Sequence, residues 1–185
     1  GRNQSDEHLN KQFCKGNNID IVRRLTGGRA LLHDNELTYS FVCPTSFLKH
    51  GDTVIESYKE ISSALAFGFK SLGLDVDFPT ETKAKTKFEY CMSLSTGADL
   101  SYKDKKIVGS AQFRSHGYIL QHGSIMFDYN ESIIENIFGE KPRNEKICLL
   151  KDVLSDIDYM QLCYAIKIGF EQYFDIKFIY FSIAL

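Results

Sequence analysis

A pair of glycines flanked by arginines is the first feature of this sequence that could do chemistry. Residues 23–29 are Arg-Arg-Leu-Thr-Gly-Gly-Arg, and His33 and Asp34 follow shortly after. Gly27 and Gly28 permit a positive φ and let a ligand lie against the main chain, while the flanking arginines could hold an anionic group. The alternative is a tight hairpin turn with solvated arginines. A Walker loop and a dinucleotide fingerprint do not fit, because the patterns GK[ST] and GxGxxG are missing here.

A lysine followed by small residues is the second feature. Lys106 begins the run Lys-Ile-Val-Gly-Ser-Ala-Gln, and Gln121-His122-Gly123-Ser124 follows in the next segment with strand character. An ammonium directed inward at Lys106 could polarise a carbonyl or stabilise a developing oxyanion. Small neighbouring residues would leave room for a substrate. The alternative is a solvated lysine in a turn.

Cys91, at the end of the short apolar segment 88–91, is the candidate nucleophile. A thiol becomes reactive when a nearby cation or helix N-terminus favours its thiolate, and Lys106 or His122 on adjacent predicted strands could supply the cation. The alternative is an inert buried cysteine. Cys91 with His33 and His122 might suggest zinc, but their separation lacks metal-ligand spacing and a fourth ligand is not evident, so we expect no metal.

Alternating apolar and polar residues predict the strands that position these groups. One strand is expected over 19–25, and a second over 36–43 after the glycine turn. Three further runs, 99–102, 106–114 and 118–128, are separated by turn residues and predict an antiparallel meander. The lysine run and the histidine that follows it therefore fall on neighbouring strands.

Apolar residues at every third or fourth position predict two amphipathic helices. The first spans 52–73, and the second begins at Ser155 or Asp156. Residues 1–18 are polar and are predicted to be loop, whereas 176–185 have strand character. The mixture of elements predicts one α+β domain, a mixed and largely antiparallel sheet with helices packed on it.

Composition indicates an ordinary globular protein. The 185 residues are 43% hydrophobic and 25% charged, and the net charge of −2 gives no electrostatic basis for binding nucleic acid or an anionic membrane. No apolar run approaches the roughly 20 residues of a membrane-spanning helix. Five cysteines without a CxxC pair fit reduced thiols, so we expect a cytoplasmic protein.

Taken together, the motifs resemble the lipoate–protein ligase and octanoyltransferase family of the biotin/lipoate ligase fold. Residues 21–34, Ile-Val-Arg-Arg-Leu-Thr-Gly-Gly-Arg-Ala-Leu-Leu-His-Asp, look like the family signature RRxTGGRxVxHD. Residues 106–112 look like KixGSAQ, and residues 121–125 match the LQHGSI element that follows it. The three motifs stand in the family's order over roughly 19–128.

The resemblance implies an acyltransferase that needs no cofactor. Cys91 precedes Lys106 by 15 residues, as the nucleophile does in the cysteine-dependent octanoyltransferases, and no Arg-Asn-Asp-like element of the ATP-dependent ligases is apparent upstream of the lysine. The implied reaction moves octanoyl from octanoyl-acyl carrier protein to Cys91, with Lys106 orienting the carbonyl. A lysine of a lipoyl domain then accepts it, such as that of the glycine cleavage system H protein or of a 2-oxoacid dehydrogenase E2 subunit.

The resemblance also implies which residues bind substrate and leaves other functions open. Family members usually have a further β-rich and helical segment before the Arg-Arg motif, so we expect residues 1–185 to be a partial catalytic domain, truncated at the N-terminus. An ATP-dependent lipoate–protein ligase and a non-catalytic relative that binds lipoyl domains remain alternatives. The implied substrate-binding residues are Arg24, Gly27, Gly28, Arg29, His33, Gly109, Ser110, Ala111, His122 and Gly123.

Overall fold

An antiparallel sheet forms the centre of the fold. The computed structural model describes residues 1–79 and 99–180. The strands in this part of the chain are β1 (Glu36–Pro44), β2 (Leu100–Tyr102), β3 (Lys105–Ser115) and β4 (Tyr118–Met126). Their order is β1-β4-β3-β2, and every neighbouring pair is antiparallel. The predicted α+β architecture and the predicted meander of the last three strands are confirmed.

Two-residue turns connect β2 to β3 and β3 to β4. The first turn consists of Lys103 and Asp104, with φ of 49° and 61°, and the second of His116 and Gly117, with φ of 50° and 77°. Turns with a positive φ at both central residues match the twist of the strands that they join. They fix the register in which the lysine run of β3 lies beside the histidine of β4.

The helices differ widely in length, and the two longest pack against each other. Side chains of both contribute to the main core together with the sheet, for example Leu65, Phe69 and Ile166 with Leu37 and Ile125. The α-helices of the described residues are α1 (Lys11–Gly16), α2 (Val54–Ser71), α3 (Glu131–Phe138), α4 (Leu150–Val153) and α5 (Tyr159–Phe174), and short 3₁₀ helices span Thr45–Phe47 and Asn144–Lys146.

A second, smaller core joins the N-terminal segment to the C-terminal end of β4. Cys14 of α1 is buried with Ile134, Ile137 and Phe138 of α3 and with Met126 at the end of β4. Apolar residues of the segment between α1 and β1 pack against this cluster. The predicted loop over 1–18 is therefore only partly right, because it contains α1, whose first turn is capped by the side chain of Asn10.

The predicted strand over 19–25 is wrong, because these residues form neither helix nor strand. The Arg23 guanidinium donates to the backbone carbonyls of Gly1 and Gln4, at 3.0 Å and 2.7 Å. The backbone N–H of Arg2 donates to the Thr26 carbonyl. Contacts with the N-terminus thus hold this segment, and an alternation of apolar residues does not reveal them.

The two predicted amphipathic helices are confirmed as α2 and α5, with small shifts of their ends. The second helix begins at Tyr159, and Asp158 caps it in a capping box with Gln161. The predicted strand over 176–185 is not found in residues 176–180, while 181–185 lie outside the described residues. Within residues 1–79 and 99–180, no helix is long and apolar enough to cross a bilayer.

Candidate active site

The side chain of Arg24 closes the glycine loop from within. Its guanidinium donates to the Thr26 hydroxyl, to the Gly27 carbonyl and, at 2.9 Å, to the Arg29 carbonyl. Gly28 has a φ of 92°, and a Cβ at this position would lie 2.8 Å from Nη2 of Arg24. The alternative of a hairpin turn with solvated arginines is therefore wrong for Arg24, since its charge organises the loop.

A hydrogen bond between Thr26 and His122 fastens the glycine loop to the sheet. The buried Thr26 hydroxyl lies 2.8 Å from Nε2 of His122 on β4. Burial lowers the pKa of His122, and the charges of Arg24 and His33 lower it further. His122 is therefore a neutral imidazole near pH 7, able to orient a hydroxyl or carbonyl group without adding charge.

His33 forms a hydrogen bond with Glu36 at the start of β1. Nδ1 of His33 lies 2.5 Å from Oε1 of Glu36, and the hydrogen bond that His33 donates to Glu36 raises the pKa of His33 against the effect of burial. The Glu36 side chain is only 3% exposed. Its Oε1 also accepts hydrogen bonds from the hydroxyls of Thr38, at 2.7 Å, and Ser124, at 2.8 Å.

A cavity of about 960 Å³ lies between the glycine loop, the N-terminal segment and α3. Its polar lining includes Arg24, His33, Thr38 and His122. About half of the lining residues are polar or charged, but most of the wall area is apolar, as in sites for small organic ligands. The apolar residues that line it are Leu9, Phe13, Ile19, Ile21, Val22, Ala30, Leu31, Leu32, Ile133, Ile137 and Phe138.

Lys106 is buried beside a carboxylate in the β2–β3 hairpin. Its Nζ lies 3.0 Å from Oδ2 of Asp99, and the two side chains are 3% and 2% exposed. Oδ1 of Asp99 accepts the backbone N–H of Ser110 at 3.2 Å. The alternative of a solvated lysine is wrong, and the inward direction expected from the small residues around it is found.

A β-bulge lies at the position of this lysine. Leu100 pairs with Val108 and Ser101 with Lys106, so Ile107 is an additional residue in β3. A bulge breaks the strict alternation of side chains along a strand and redirects them locally. The backbone carbonyl of Lys106 also accepts the N–H of Cys148, which fixes the strand at the bulge.

The small residues of β3 and β4 lie opposite one another. Ser110 pairs with Gly123 and Ala111 with His122. A Cβ at Gly123 would lie 2.3 Å from the Gly109 carbonyl, so only glycine fits there without displacing backbone. The Ser110 hydroxyl bonds the hydroxyl of Tyr39 at 2.7 Å, and burial raises the pKa of Tyr39 to about 12.

The structure brings most of the expected site residues into two groups, one at the cavity and its glycine loop and one on β3 and β4. The second group contains Gly109, Ser110, Ala111 and Gly123. Arg24, His33 and His122 line the cavity, with Gly27, Gly28 and Arg29 in the loop that Arg24 closes. Lys106 is not among the residues lining this cavity. Cys91 lies outside the described residues.

Asp99 and Glu36 each hold a residue of the candidate site, although neither belongs to a motif that points to a role. Asp99 precedes Lys106 by seven residues and meets it only through the hairpin register. Glu36 follows His33 by three residues, a spacing that could have suggested the pair had the turn between them been recognised. Carboxylates near a candidate cation are the signal that would have found both.

Comparison with known families supports the motif assignment. A family model described as the lipoyl protein ligase A/B catalytic domain matches residues 1–171. The chain is 34% identical over 187 residues to Octanoyltransferase LipM of Exiguobacterium sp., covering 92% of this chain and 68% of that protein. It is 40% identical over 153 residues to Octanoyltransferase LipM of Staphylococcus epidermidis, covering 79% of this chain and 54% of that protein. The chain thus spans about half to two thirds of the length of these relatives.

Solved structures share the fold at lower identity. A bi-partite lipoate protein ligase from Thermoplasma acidophilum superposes with a TM-score of 0.77 and 21% identity, over 100% of this chain and 69% of that one. Lipoate-protein ligase A bound with ATP superposes with a TM-score of 0.76 and 21% identity, over 95% of this chain and 67% of that one. Both comparisons show a similarity of fold.

Proposed function

The chain belongs to the lipoyl protein ligase A/B catalytic domain family, and we propose that it is an octanoyltransferase of lipoate biosynthesis. The donor in this proposal is octanoyl-acyl carrier protein, the acyl group passes through a thioester on Cys91, and the acceptor is a lysine of a lipoyl domain. Relatives named Octanoyltransferase LipM, at 34–40% identity, support the reaction class. The T. acidophilum ligase studied with its E2 lipoyl domain supports a lipoyl domain as the acceptor.

The cavity behind the glycine loop is the observation that carries the proposal. Its volume of about 960 Å³ and its apolar wall suit an eight-carbon acyl chain, while histidines and Arg24 offer polar groups for the head of the ligand. Burying each CH₂ contributes about 0.8 kcal/mol. Burial of its methylene groups therefore contributes most of the binding free energy that we expect for an octanoyl chain in this cavity.

The two transfers proceed without ATP. In the first, the Cys91 thiolate attacks the carrier thioester, and the carrier thiol leaves, so one thioester replaces another at nearly equal free energy. In the second, the acceptor amine attacks the Cys91 thioester, and the cysteine sulfur leaves with a proton from the amine nitrogen. This step runs downhill, because an amide is more stable than a thioester.

In this scheme Lys106 stabilises the carbonyl oxygen of the acyl group during transfer. A buried ammonium held by Asp99 has a fixed position, and a preorganised cation stabilises negative charge that develops on a carbonyl oxygen. The same cation favours the thiolate form of a neighbouring cysteine. Asp99 also bonds the backbone of Ser110, so the ammonium is held against the strand that carries the small residues.

Intact mass spectrometry tests the proposal directly. The protein incubated with octanoyl-acyl carrier protein should gain one octanoyl group that hydroxylamine removes, and Cys91→Ala should abolish the gain. Cys163→Ala is the matched control, because Cys163 is a partly exposed thiol on α5 and should leave loading unchanged. Transfer to a lipoyl domain should then follow from the isolated acyl-enzyme.

Two results would contradict the proposal. The first is the absence of any hydroxylamine-labile adduct on the wild-type protein. The second is pyrophosphate release that depends on free lipoate and ATP and survives Cys91→Ala, which would indicate an ATP-dependent ligase instead.

A further inference from the structure

The hydrogen bond between His33 and Glu36 orients the imidazole so that its second nitrogen can accept a proton. We propose that His33 is the general base that deprotonates the acceptor lysine, and that Glu36 is the positioning residue that holds its imidazole. This inference rests on the proposed function, since it names the group that removes a proton from the acceptor lysine in the second transfer. A lysine side chain reaches the site as an ammonium, which has no lone pair with which to attack a thioester.

The orientation of the imidazole leaves one nitrogen for the substrate. Nδ1 of His33 lies 2.5 Å from Oε1 of Glu36, so Nδ1 carries the proton and donates it to the carboxylate. In that tautomer Nε2 is a proton acceptor. His33 lines the 960 Å³ cavity, and its side chain is 54% exposed, so a substrate amine entering from solvent can reach it.

The carboxylate is fixed more firmly than an ordinary surface partner. Thr38 and Ser124 both donate hydroxyls to the oxygen that faces His33, and Oε2 is buried without a hydrogen-bond partner among the described residues. A carboxylate held from two strands cannot rotate away from the imidazole. A carboxylate held in this way orients the imidazole and fixes its tautomer, which suits the imidazole to act as a general base.

The charges around His33 set it apart from the second histidine of the cavity. Glu36 raises the pKa of His33, while the charge of Arg24 opposes this effect. His122 faces the same groups without a carboxylate, and burial lowers its pKa. Asp34 adjoins His33 in sequence, and Tyr159 of α5 lies near enough to Glu36 for the carboxylate charge to act on its phenol. Two histidines whose pKa values are shifted in opposite directions indicate a division of acid–base roles.

The proton movements balance over the second transfer. Nε2 of His33 takes one proton from the acceptor ammonium and becomes imidazolium, leaving a neutral amine. The amine nitrogen forms a bond to the octanoyl carbon, the carbon–sulfur bond to Cys91 breaks, and the second amine proton ends on the sulfur. The imidazolium then returns its proton to solvent.

Single-turnover discharge of the isolated acyl-enzyme separates this role from binding. The acyl-enzymes of the wild type, His33→Gln and Glu36→Gln are mixed with either a lipoyl domain or hydroxylamine. Hydroxylamine is already uncharged at neutral pH and needs no base. We expect His33→Gln to slow discharge of the acyl-enzyme to the lipoyl domain about 100-fold or more relative to its discharge to hydroxylamine. His50→Ala, an exposed histidine outside the cavity, is the matched control.

Two further measurements identify the base itself. Imidazole added to His33→Ala should restore discharge to the lipoyl domain. In Glu36→Gln the acid limb of the pH–rate profile should move to lower pH, because the carboxylate that raises the pKa of His33 is gone. A structural role alone would produce neither result.

The inference is overturned if His33→Gln discharges to the lipoyl domain at the wild-type rate, or if it slows both discharges equally. Failure of the proposed function is a separate result, because in that case no acyl-enzyme forms on the wild-type protein at all.

Discussion

Oδ2 of Asp99 lies 3.0 Å from Nζ of Lys106, and both side chains are almost completely buried. Asp99 directly precedes β2, and the two-residue turn and bulge of the β2–β3 hairpin bring this end of β2 close to Lys106 of β3. A buried ion pair is costly to form, because both charges lose their hydration. The pair fixes the position of the Lys106 ammonium, which the proposed role of this lysine needs.

Removing one member of this pair should destabilise the fold. Breaking a buried ion pair costs about 3–5 kcal/mol, so Asp99→Leu and Lys106→Met should each lower the free energy of unfolding by about this amount. The double variant should recover part of the loss, because it buries no charge. Urea denaturation of all four proteins measures the coupling.

Glu56→Gln, which breaks the exposed pair with Lys59, should have a much smaller effect. Strictly additive losses in the double variant would show that the two residues do not interact.

Gly28 should tolerate a side chain less well than its neighbour Gly27. Gly28→Ala places a Cβ 2.8 Å from Nη2 of Arg24 at a φ of 92°, whereas a Cβ at Gly27 meets no described atom within 4 Å. A non-glycine residue with such a φ costs about 1–3 kcal/mol. We expect Gly28→Ala to open the loop and to reduce octanoyl loading more strongly than Gly27→Ala does. Equal loading by both variants would mean that the Arg24 contact does not organise the site.

His122 should make the protein less stable in mild acid. Burial lowers its pKa in the folded state from the usual 6.5, so the unfolded chain binds the proton more readily. Stability is therefore lost as pH falls below about 6.5. His33 acts in the opposite sense, because its raised pKa adds stability below 6.5 that is lost as pH rises.

Thermal unfolding between about pH 5 and 8 checks this sign. His122→Asn should flatten the fall of Tm on the acid side, while His116→Asn, an exposed turn residue, should leave the slope unchanged. An identical acid slope in His122→Asn would assign the effect to another group.

Local sequence patterns predicted the elements whose contacts are close along the chain. The β3–β4 hairpin follows from alternating residues around a turn containing Gly117, and α2 follows from its apolar periodicity. The inward position of Lys106 follows from the small residues after it. The partner of the lysine could not be predicted in the same way, because Asp99 reaches it only through a register that the bulge shifts by one residue.

The segment before the glycine loop shows a second limit of local patterns. Residues 19–25 alternate as a strand would, yet their place in the fold depends on Arg23, which binds carbonyls about twenty residues earlier in the chain. Such side-chain to backbone contacts leave no periodic signal. Local sequence patterns therefore could not predict the cavity of the candidate site, which forms between this segment and α3.

The crossing of α2 and α5 gives the last prediction. A Cβ at Gly169 would lie 2.4 Å from the backbone nitrogen of Gly68 and 2.5 Å from the carbonyl oxygen of Ala64, so the helices touch through their main chains. Inserting a methyl group into such a contact must separate the helices, and overpacking of this kind costs about 1–3 kcal/mol. Gly169→Ala should therefore unfold at lower urea concentration than the wild type.

Gly16→Ala is the matched control for this substitution. Gly16 is the last residue of α1, and a Cβ there meets no described atom within 4 Å. Replacing a helical glycine by alanine in open space stabilises a protein by about 0.5–1 kcal/mol, so the two variants should shift in opposite directions. If Gly169→Ala also gained stability, α2 and α5 would have to be further apart than this backbone contact allows. The main core, to which both helices contribute, would then be packed differently from the arrangement described.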